Sequence, residues 1–348
     1  MNAAGGPGTA AGSEDRREPT AIALVGPTAS GKSAIALDVA LRSAVLGPGP
    51  DRGPSVELVS VDSMAVYRGM DIGTAKPTAE TRARVRYHLV DLVDPGEEFT
   101  VRQFQAAARA ALAGIARRGR QAVLVGGTGL YLRSVVDDLS FPGRFPEVAS
   151  GLTGFLEAAG PEGSPGERDA LRFLHRRLAA LDPAAAARIQ PTNRRRLLRA
   201  LEVTVGSGRP FSSFGPGLER YPPSGIAQVG IRYEQAELDR RIDRRFERLM
   251  DLGFLDEVRS LARRPGGVSR TARQALGYRE LLSHVEDGVP LPEAIDQAIR
   301  RTRAFARRQL AWFRRDPRIV WVGPDDDPVG RIAGLLAGGP PGPEPVGE

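Results

Sequence analysis

An α/β fold is predicted for this chain: a parallel sheet flanked by helices, with a helical subdomain inserted into it. Three observations carry that prediction. Short apolar runs alternate with helical patterns, as in sheets covered on both faces. The first run, Ala21–Val25, leads into Gly26-Pro27-Thr28-Ala29-Ser30-Gly31-Lys32-Ser33, which fits the phosphate-loop pattern G-x-x-x-x-G-K-[ST] without mismatch and makes the sheet P-loop NTPase-like. Between about Phe141 and Ser207 the strand signal disappears and helical patterns replace it.

Taken in order, the residues 1–19 are rich in Gly, Ala and charge and read as a disordered tail. The α/β core is expected over 20–140 and 208–335, the helical insertion over 141–207 and a second tail over 336–348. Ala21–Val25 is the first strand and Ala34–Leu41 the helix behind the phosphate loop. Further buried strands are expected at Val56–Val61, His88–Leu92, Ala122–Val125, Ala227–Ile231 and Ile319–Val322, with a helix at Val101–Arg117. Gly47–Ser55 and Gly160–Gly166 read as surface insertions without chemistry. The stretch Val61–Pro77 is too irregular for helix or strand; its polar, glycine and aromatic residues suit a loop that lines a site.

With no cysteine, the 348 residues exclude a disulfide framework, a thiol nucleophile and Cys-ligated zinc. His88, His175 and His284 are scattered without metal-ligand spacing and read as structural. No apolar run approaches the length of a membrane span and no secretory signal is seen, so a cytoplasmic protein without membrane contact is expected. The net charge of +7 favours an acidic partner such as nucleic acid. Nearly all the positive charge is arginine: lysine occurs only at Lys32 and Lys76. A compact point charge inside the phosphate loop fits that exception.

Ligands of parallel sheets sit beyond the carboxyl ends of the strands, and three strand ends carry candidates. After the first strand, loop N–H groups and the helix N-terminus would cradle phosphates, Lys32 would neutralise charge and Ser33 would offer a hydroxyl to Mg²⁺. Asp62 directly follows the second strand, where it suits a Mg²⁺ ligand, a general base or a helix N-cap. Gly126-Gly127-Thr128-Gly129 follows the fourth as a second glycine-rich turn. Arginine clusters at Arg194–Arg199 and around Trp312-Phe313 suit phosphate contact and base stacking, or simply a solvated helix face. Arg240, Arg241, Arg244 and Arg245 share one more helix, where spacing puts Arg241, Arg244 and Arg245 on neighbouring faces, suited to aiming at least one at a phosphate.

Seven blocks resemble the tRNA dimethylallyltransferases, also called isopentenylpyrophosphate transferases. They are GPTASGKS at Gly26–Ser33, VDSMAVYRGMDIGTAKP at Val61–Pro77, HLVDLVDP at His88–Pro95 and VGGTGLYLRS at Val125–Ser134, then RRRLLRALEV at Arg194–Val203, RQALGYRE at Arg273–Glu280 and RRQLAWFRRDP at Arg307–Pro317. The resemblance implies transfer of a dimethylallyl group from dimethylallyl diphosphate to the N6 amine of adenine 37 in the tRNA anticodon stem-loop. It also implies a monomer with Mg²⁺ as cofactor. It makes Asp62 the general base, and Thr28 and Arg245 stabilisers of the leaving diphosphate, which the loop Gly26–Ser33 holds in place of ATP. It assigns tRNA contact to Asp62, Ser63, Met64, Ala65 and Thr128, to Arg195, Arg196, Leu197, Leu198 and Arg199, and to Gln274, Ala275, Leu276, Gly277, Tyr278 and Arg279. The last block adds Arg307, Arg308, Gln309, Leu310, Ala311, Trp312, Phe313 and Arg314. Ala65 departs from the pattern, standing where the family often has glutamine. A small-molecule kinase or ATPase, a prenyltransferase for free nucleotides and a non-catalytic RNA-binding protein are the rival readings.

Overall fold

A computed structural model describes residues 21–46, 55–215 and 217–339. The expected tail 1–19, most of the Gly47–Ser55 insertion and residues 340–348 lie outside the described residues. The chain divides into two compact units, one of residues up to 132 and from 224 onward, the other Arg133–Pro223.

In chain order the elements are β1 (Ala21–Val25), α1 (Lys32–Leu46), β2 (Val56–Val61), α2 (Ala79–Arg84), β3 (Tyr87–His88), α3 (Val101–Arg117), β4 (Gln121–Gly126) and α4 (Gly129–Val136). The helical unit follows with α5 (Pro146–Ala159), α6 (Pro165–Leu181), α7 (Pro183–Ala186) and α8 (Arg194–Ser207). The chain then returns with β5 (Ala227–Ile231), α9 (Gln235–Asp251), α10 (Phe254–Ala262), α11 (Tyr278–Asp287), α12 (Leu291–Phe313), β6 (Ile319–Val322) and α13 (Pro328–Leu336).

The six strands form one sheet in the order β3-β2-β4-β1-β5-β6, all pairs parallel, which is the P-loop NTPase-like core expected from the sequence. Ile22, Leu24, Val123, Val125, Val229 and Ile231 alternate onto one face and pack on Ala36, Val39, Ala40, Ile332 and Leu335 of α1 and α13. Because every strand runs the same way, the turns after β1, β2 and β4 open on one edge. The register sharpens this: Gly126 is level with Val25 on one side and Val61 on the other. A side chain at Gly126 would collide with the Val61 carbonyl, so glycine lets the three turns come together.

The expected strand His88–Leu92 is corrected. Only Tyr87 and His88 pair with β2, and Leu89 and Asp91 take left-handed φ values of 62° and 58°, which end the ladder. The apolar residues beyond serve a different neighbour: the Leu92 and Val93 N–H groups donate to Val66 O at 2.7 and 3.0 Å, folding this segment onto the loop after β2. The helix behind the phosphate loop runs longer than Ala34–Leu41, from Lys32 to Leu46, while α3 spans the expected Val101–Arg117. Leu336, counted with the tail from sequence, ends α13 and is buried.

The three histidines each hold structure. His88 Nε2 lies 2.6 Å from buried Glu57, which also takes two bonds from Arg118. Burial pushes the Glu57 carboxyl up, but the Arg118 and His88 hydrogen bonds outweigh it and bring it down to about 2. His175 bonds the Ala186 and Ile189 carbonyls, and His284 the Val289 carbonyl.

The unit Arg133–Pro223 has its own core of Leu152, Leu156, Leu171, Leu174, Leu178, Ile189, Leu197 and Leu201 from α5, α6 and α8 and the segment between. The Gly160–Gly166 segment holds the turn between α5 and α6 and the first two residues of α6, which Ser164 caps by accepting from Glu167 N at 3.1 Å.

Candidate active site

Beyond the sheet edge lies a cavity of about 640 Å³, walled by the phosphate loop, the turns after β2 and β4, and α9, α11 and α12. Gly26 and Gly31 take positive φ, and so does Ala29 at 63°. At Gly26 a Cβ would lie 2.8 Å from Ile231 O, so the loop starts pressed against β5. Arg241 secures the loop from α9: its Nε donates to Ala29 O at 2.9 Å while its guanidinium stacks on Tyr233.

Lys32 is buried and its Nζ donates to Pro27 O at 2.6 Å. Burial, with Arg245 adding repulsion, pushes this ammonium down to about 7, against an opposing pull from Asp62. Arg245 is shifted downward too, first by burial, with Asp62 again favouring its charge. Lys32, Arg245 and Asp62 therefore form one interacting set, two cations and one carboxylate facing the same space. Ser33 is exposed at the first turn of α1 on the cavity wall.

The α9 arginines separate by role. Arg240 and Arg244 pair with Glu237 on the surface, and Arg241 braces the loop. Arg245 lines the cavity and has no hydrogen-bond or ion-pair partner among the described residues.

Asp62 sits where β2 ends. Its Oδ1 accepts from Met64 N at 2.7 Å, a short turn that leaves Oδ2 without a protein partner among the described residues. Thr128 Oγ1 accepts from Ser63 N at 3.2 Å, so the turn after β4 fixes the turn after β2. Ala65 lines the same wall.

Two residues that the sequence reading did not single out as site residues hold the Val61–Pro77 loop. Glu257 on α10 accepts from the N–H groups of Asp71, Ile72 and Gly73 at 2.8, 2.8 and 3.3 Å, and from the Tyr278 hydroxyl at 2.6 Å. Lys76, buried, donates to the Tyr67 carbonyl and bridges Asp71 and Asp91 at 2.7 Å each. The scarcity of lysine was the available signal for Lys76. Nothing in the local pattern marked Glu257, whose backbone partners lie about 185 residues away in sequence.

The RNA-contact runs carried over by resemblance do not present uniform faces. On α12, Arg307, Arg308, Ala311 and Arg314 are exposed, whereas Gln309, Leu310 and Phe313 are buried and Trp312 packs against Gly129. On α8, Arg195 and Arg196 are exposed and have no side-chain partner among the described residues, but Leu197 belongs to the core. Arg199 is committed inside its own unit, bonding Glu202 and the Pro142 and Gly143 carbonyls. In Gln274–Arg279, Gln274, Ala275, Leu276 and Tyr278 all line the cavity, Ala275 and Tyr278 with little surface exposed, while Gln274 and Arg279 are exposed. On α8 and α12 helical periodicity gives the reason: a contiguous run on a helix always turns some residues inward. Leu197, Leu310 and Phe313 are therefore packing residues, whereas Ala275 and Tyr278, though buried, face the cavity.

The IPP transferase family model matches residues 65–316. The chain belongs to that family. A protein of Kineococcus radiotolerans named tRNA dimethylallyltransferase is 45% identical over 310 residues, covering 88% of this chain and 92% of its own length. One of Salinispora tropica with the same name is also 45% identical, over 87% of this chain and 88% of its own. Among solved structures, the full-length tRNA isopentenylpyrophosphate transferase of Bacillus halodurans aligns over 92% of this chain and 96% of its own, at 35% identity and a TM-score of 0.63. Family members of that name thus share nearly the whole length of the chain. No helix among the described residues is long and apolar enough to cross a membrane.

Proposed function

We propose that this chain transfers a dimethylallyl group from dimethylallyl diphosphate to the N6 amine of the adenine beside the anticodon, position 37, of tRNA. The observation that carries the reading is the convergence of the phosphate loop, Lys32 and Arg245 with Asp62 in one cavity. The names of relatives sharing most of the chain support it.

The chemistry follows from the groups present. The allylic carbon tolerates positive charge, so the bond from C1 to the diphosphate oxygen breaks as the bond from N6 to C1 forms. Negative charge then grows on the leaving oxygen. Loop N–H groups, Lys32, Arg245 and the Thr28 hydroxyl stabilise it in a site fixed before the reaction begins. Asp62 takes the N6 proton through Oδ2, the oxygen its turn leaves available. The adenine must leave its stack to enter the cavity, which a single-stranded loop permits at least cost.

The donor set fits Mg²⁺ sparsely. No group of three or more His, Asp or Glu side chains among the described residues could hold a metal. Mg²⁺ commonly takes only one or two protein ligands beside substrate phosphates, and the exposed Ser33 hydroxyl is placed to be one. When bound, Mg²⁺ neutralises charge on the diphosphate.

Single-turnover transfer of labelled dimethylallyl diphosphate to tRNA, with Mg²⁺ and without ATP, tests the reaction. Label at an N6-modified adenine is expected; phosphate release only on adding ATP would favour a kinase or ATPase. In the same assay Asp62→Asn should lower transfer by ~10²–10⁴-fold and leave tRNA binding intact. Near-normal transfer by that variant would remove Asp62 as the base.

A further inference from the structure

We propose that Gln309 is a positioning residue for the diphosphate end of the reaction, acting by locking two loops together. Its side chain leaves α12 and enters the junction between the phosphate loop and the Gly126–Gly129 turn. There Thr28 N donates to Gln309 Oε1 at 2.8 Å, and Gln309 Nε2 donates to Gly127 O at 2.8 Å. Both bonds are good by distance, and they join segments 281 and 182 residues away in sequence.

The residue type follows from the junction. One backbone donor and one backbone acceptor face the same small volume, and a primary amide supplies one acceptor and one donor. A carboxylate cannot donate to Gly127 O, and lysine or arginine cannot accept from Thr28 N. Gly127 completes the fit, because any Cβ there would collide with Gln309 Nε2.

Two consequences separate this role from RNA contact. Gln309 is only 8% exposed, and both amide heteroatoms are already engaged. Thr28, meanwhile, has its N–H occupied, so its hydroxyl is the group it turns to a phosphate. The bond also precedes Ala29, whose left-handed φ of 63° is unfavourable for a residue with a Cβ and needs support from its surroundings. Gln309 on one side and Arg241, through Ala29 O, on the other supply that support.

The inference rests on the phosphate loop holding the prenyl diphosphate, so its test separates the two ideas. Donor KM and kcat are measured at saturating tRNA, and tRNA affinity is measured separately by filter binding, for wild type, Lys32→Ala, Gln309→Leu and Gly127→Ala. For Gln309→Leu, about a tenfold or greater loss in donor kcat/KM is expected, as for an unpaired buried donor and acceptor, with tRNA affinity within about twofold of wild type. Gly127→Ala displaces the amide without altering residue 309 and should reproduce the donor-side loss. It thereby keeps the test open should Gln309→Leu fold poorly. Loss of tRNA affinity with donor kinetics unchanged would overturn the proposal in favour of RNA contact. Unchanged behaviour of both variants would overturn it outright. Donor kinetics unchanged in Lys32→Ala would instead reject the phosphate-loop reading beneath it.

Discussion

Lys32 is held in a cradle where its charge is disfavoured until a partner arrives. Burial and Arg245 bring its ammonium down to about 7, well below the ordinary lysine value. A diphosphate beside it would reverse that shift, so binding takes up a proton wherever the free protein has lost one. Between pH 7 and the ordinary lysine range the free site is largely neutral and the complex charged. Uptake approaching ~1 proton per diphosphate is therefore expected at pH 8. Calorimetry in buffers of different ionisation enthalpy measures this directly. Lys32→Arg, whose guanidinium stays charged, should abolish the part of the uptake that belongs to this residue. The same sign applies to stability: the unfolded chain holds the Lys32 proton to higher pH than the folded one. The free protein should therefore gain stability from this group as pH rises through about 7 toward the ordinary lysine value. Uptake equal in wild type and Lys32→Arg would mean that the ammonium is already charged in the free loop.

At the scale of elements, α12 joins parts that the sequence scatters. Arg301 pairs with Glu280, whose other oxygen accepts from Gly277 N at 3.0 Å and shapes the turn before α11. Arg303 pairs with Asp243 on α9, the helix that carries Arg245. Gln309 ties two glycine loops, and Trp312 fills the space that Gly129 leaves. A second brace runs from α10. Glu257 receives three backbone N–H groups from the Val61–Pro77 loop and the hydroxyl of Tyr278, whose phenol burial pushes up. Glu257→Ala strands those donors, two of them in a crowded region where Gly73 abuts Phe254 and Tyr278. A loss of about 2 kcal/mol or more in chemical denaturation is expected, together with faster amide exchange at Asp71–Gly73. A loss of stability with exchange there unchanged would place the role of Glu257 elsewhere. The contrast explains what could be read in advance. Five of the six strands, the phosphate loop and the position of Asp62 after β2 follow local rules of period, glycine and spacing, and they are where the sequence placed them. The short β3, Glu257 and the Gln309 bridge depend on partners far along the chain, which no local pattern encodes.

For the whole molecule the governing quantity is charge, a net +7 set against a polyanion. Not every arginine in a basic run is available to a phosphate. Arg194 pairs with Glu167 at 3.0 Å, and Arg199 with Glu202 and two carbonyls, whereas Arg195 and Arg196 stand exposed on the same helix. An arginine already engaged within its own unit releases no counterion on binding RNA, while a free one does. Replacing Arg195 and Arg196 together by glutamine should therefore weaken tRNA binding and reduce the log–log salt slope by ~1–2. Arg199→Gln should instead lower the stability of the unit Arg133–Pro223 by loosening the Pro142–Gly143 segment, with the salt slope unchanged. Filter binding from low to moderate salt, beside thermal melting of each variant, distinguishes the two. A slope that drops for Arg199→Gln but not for the double variant would invert the assignment, making the internally bonded arginine the RNA contact.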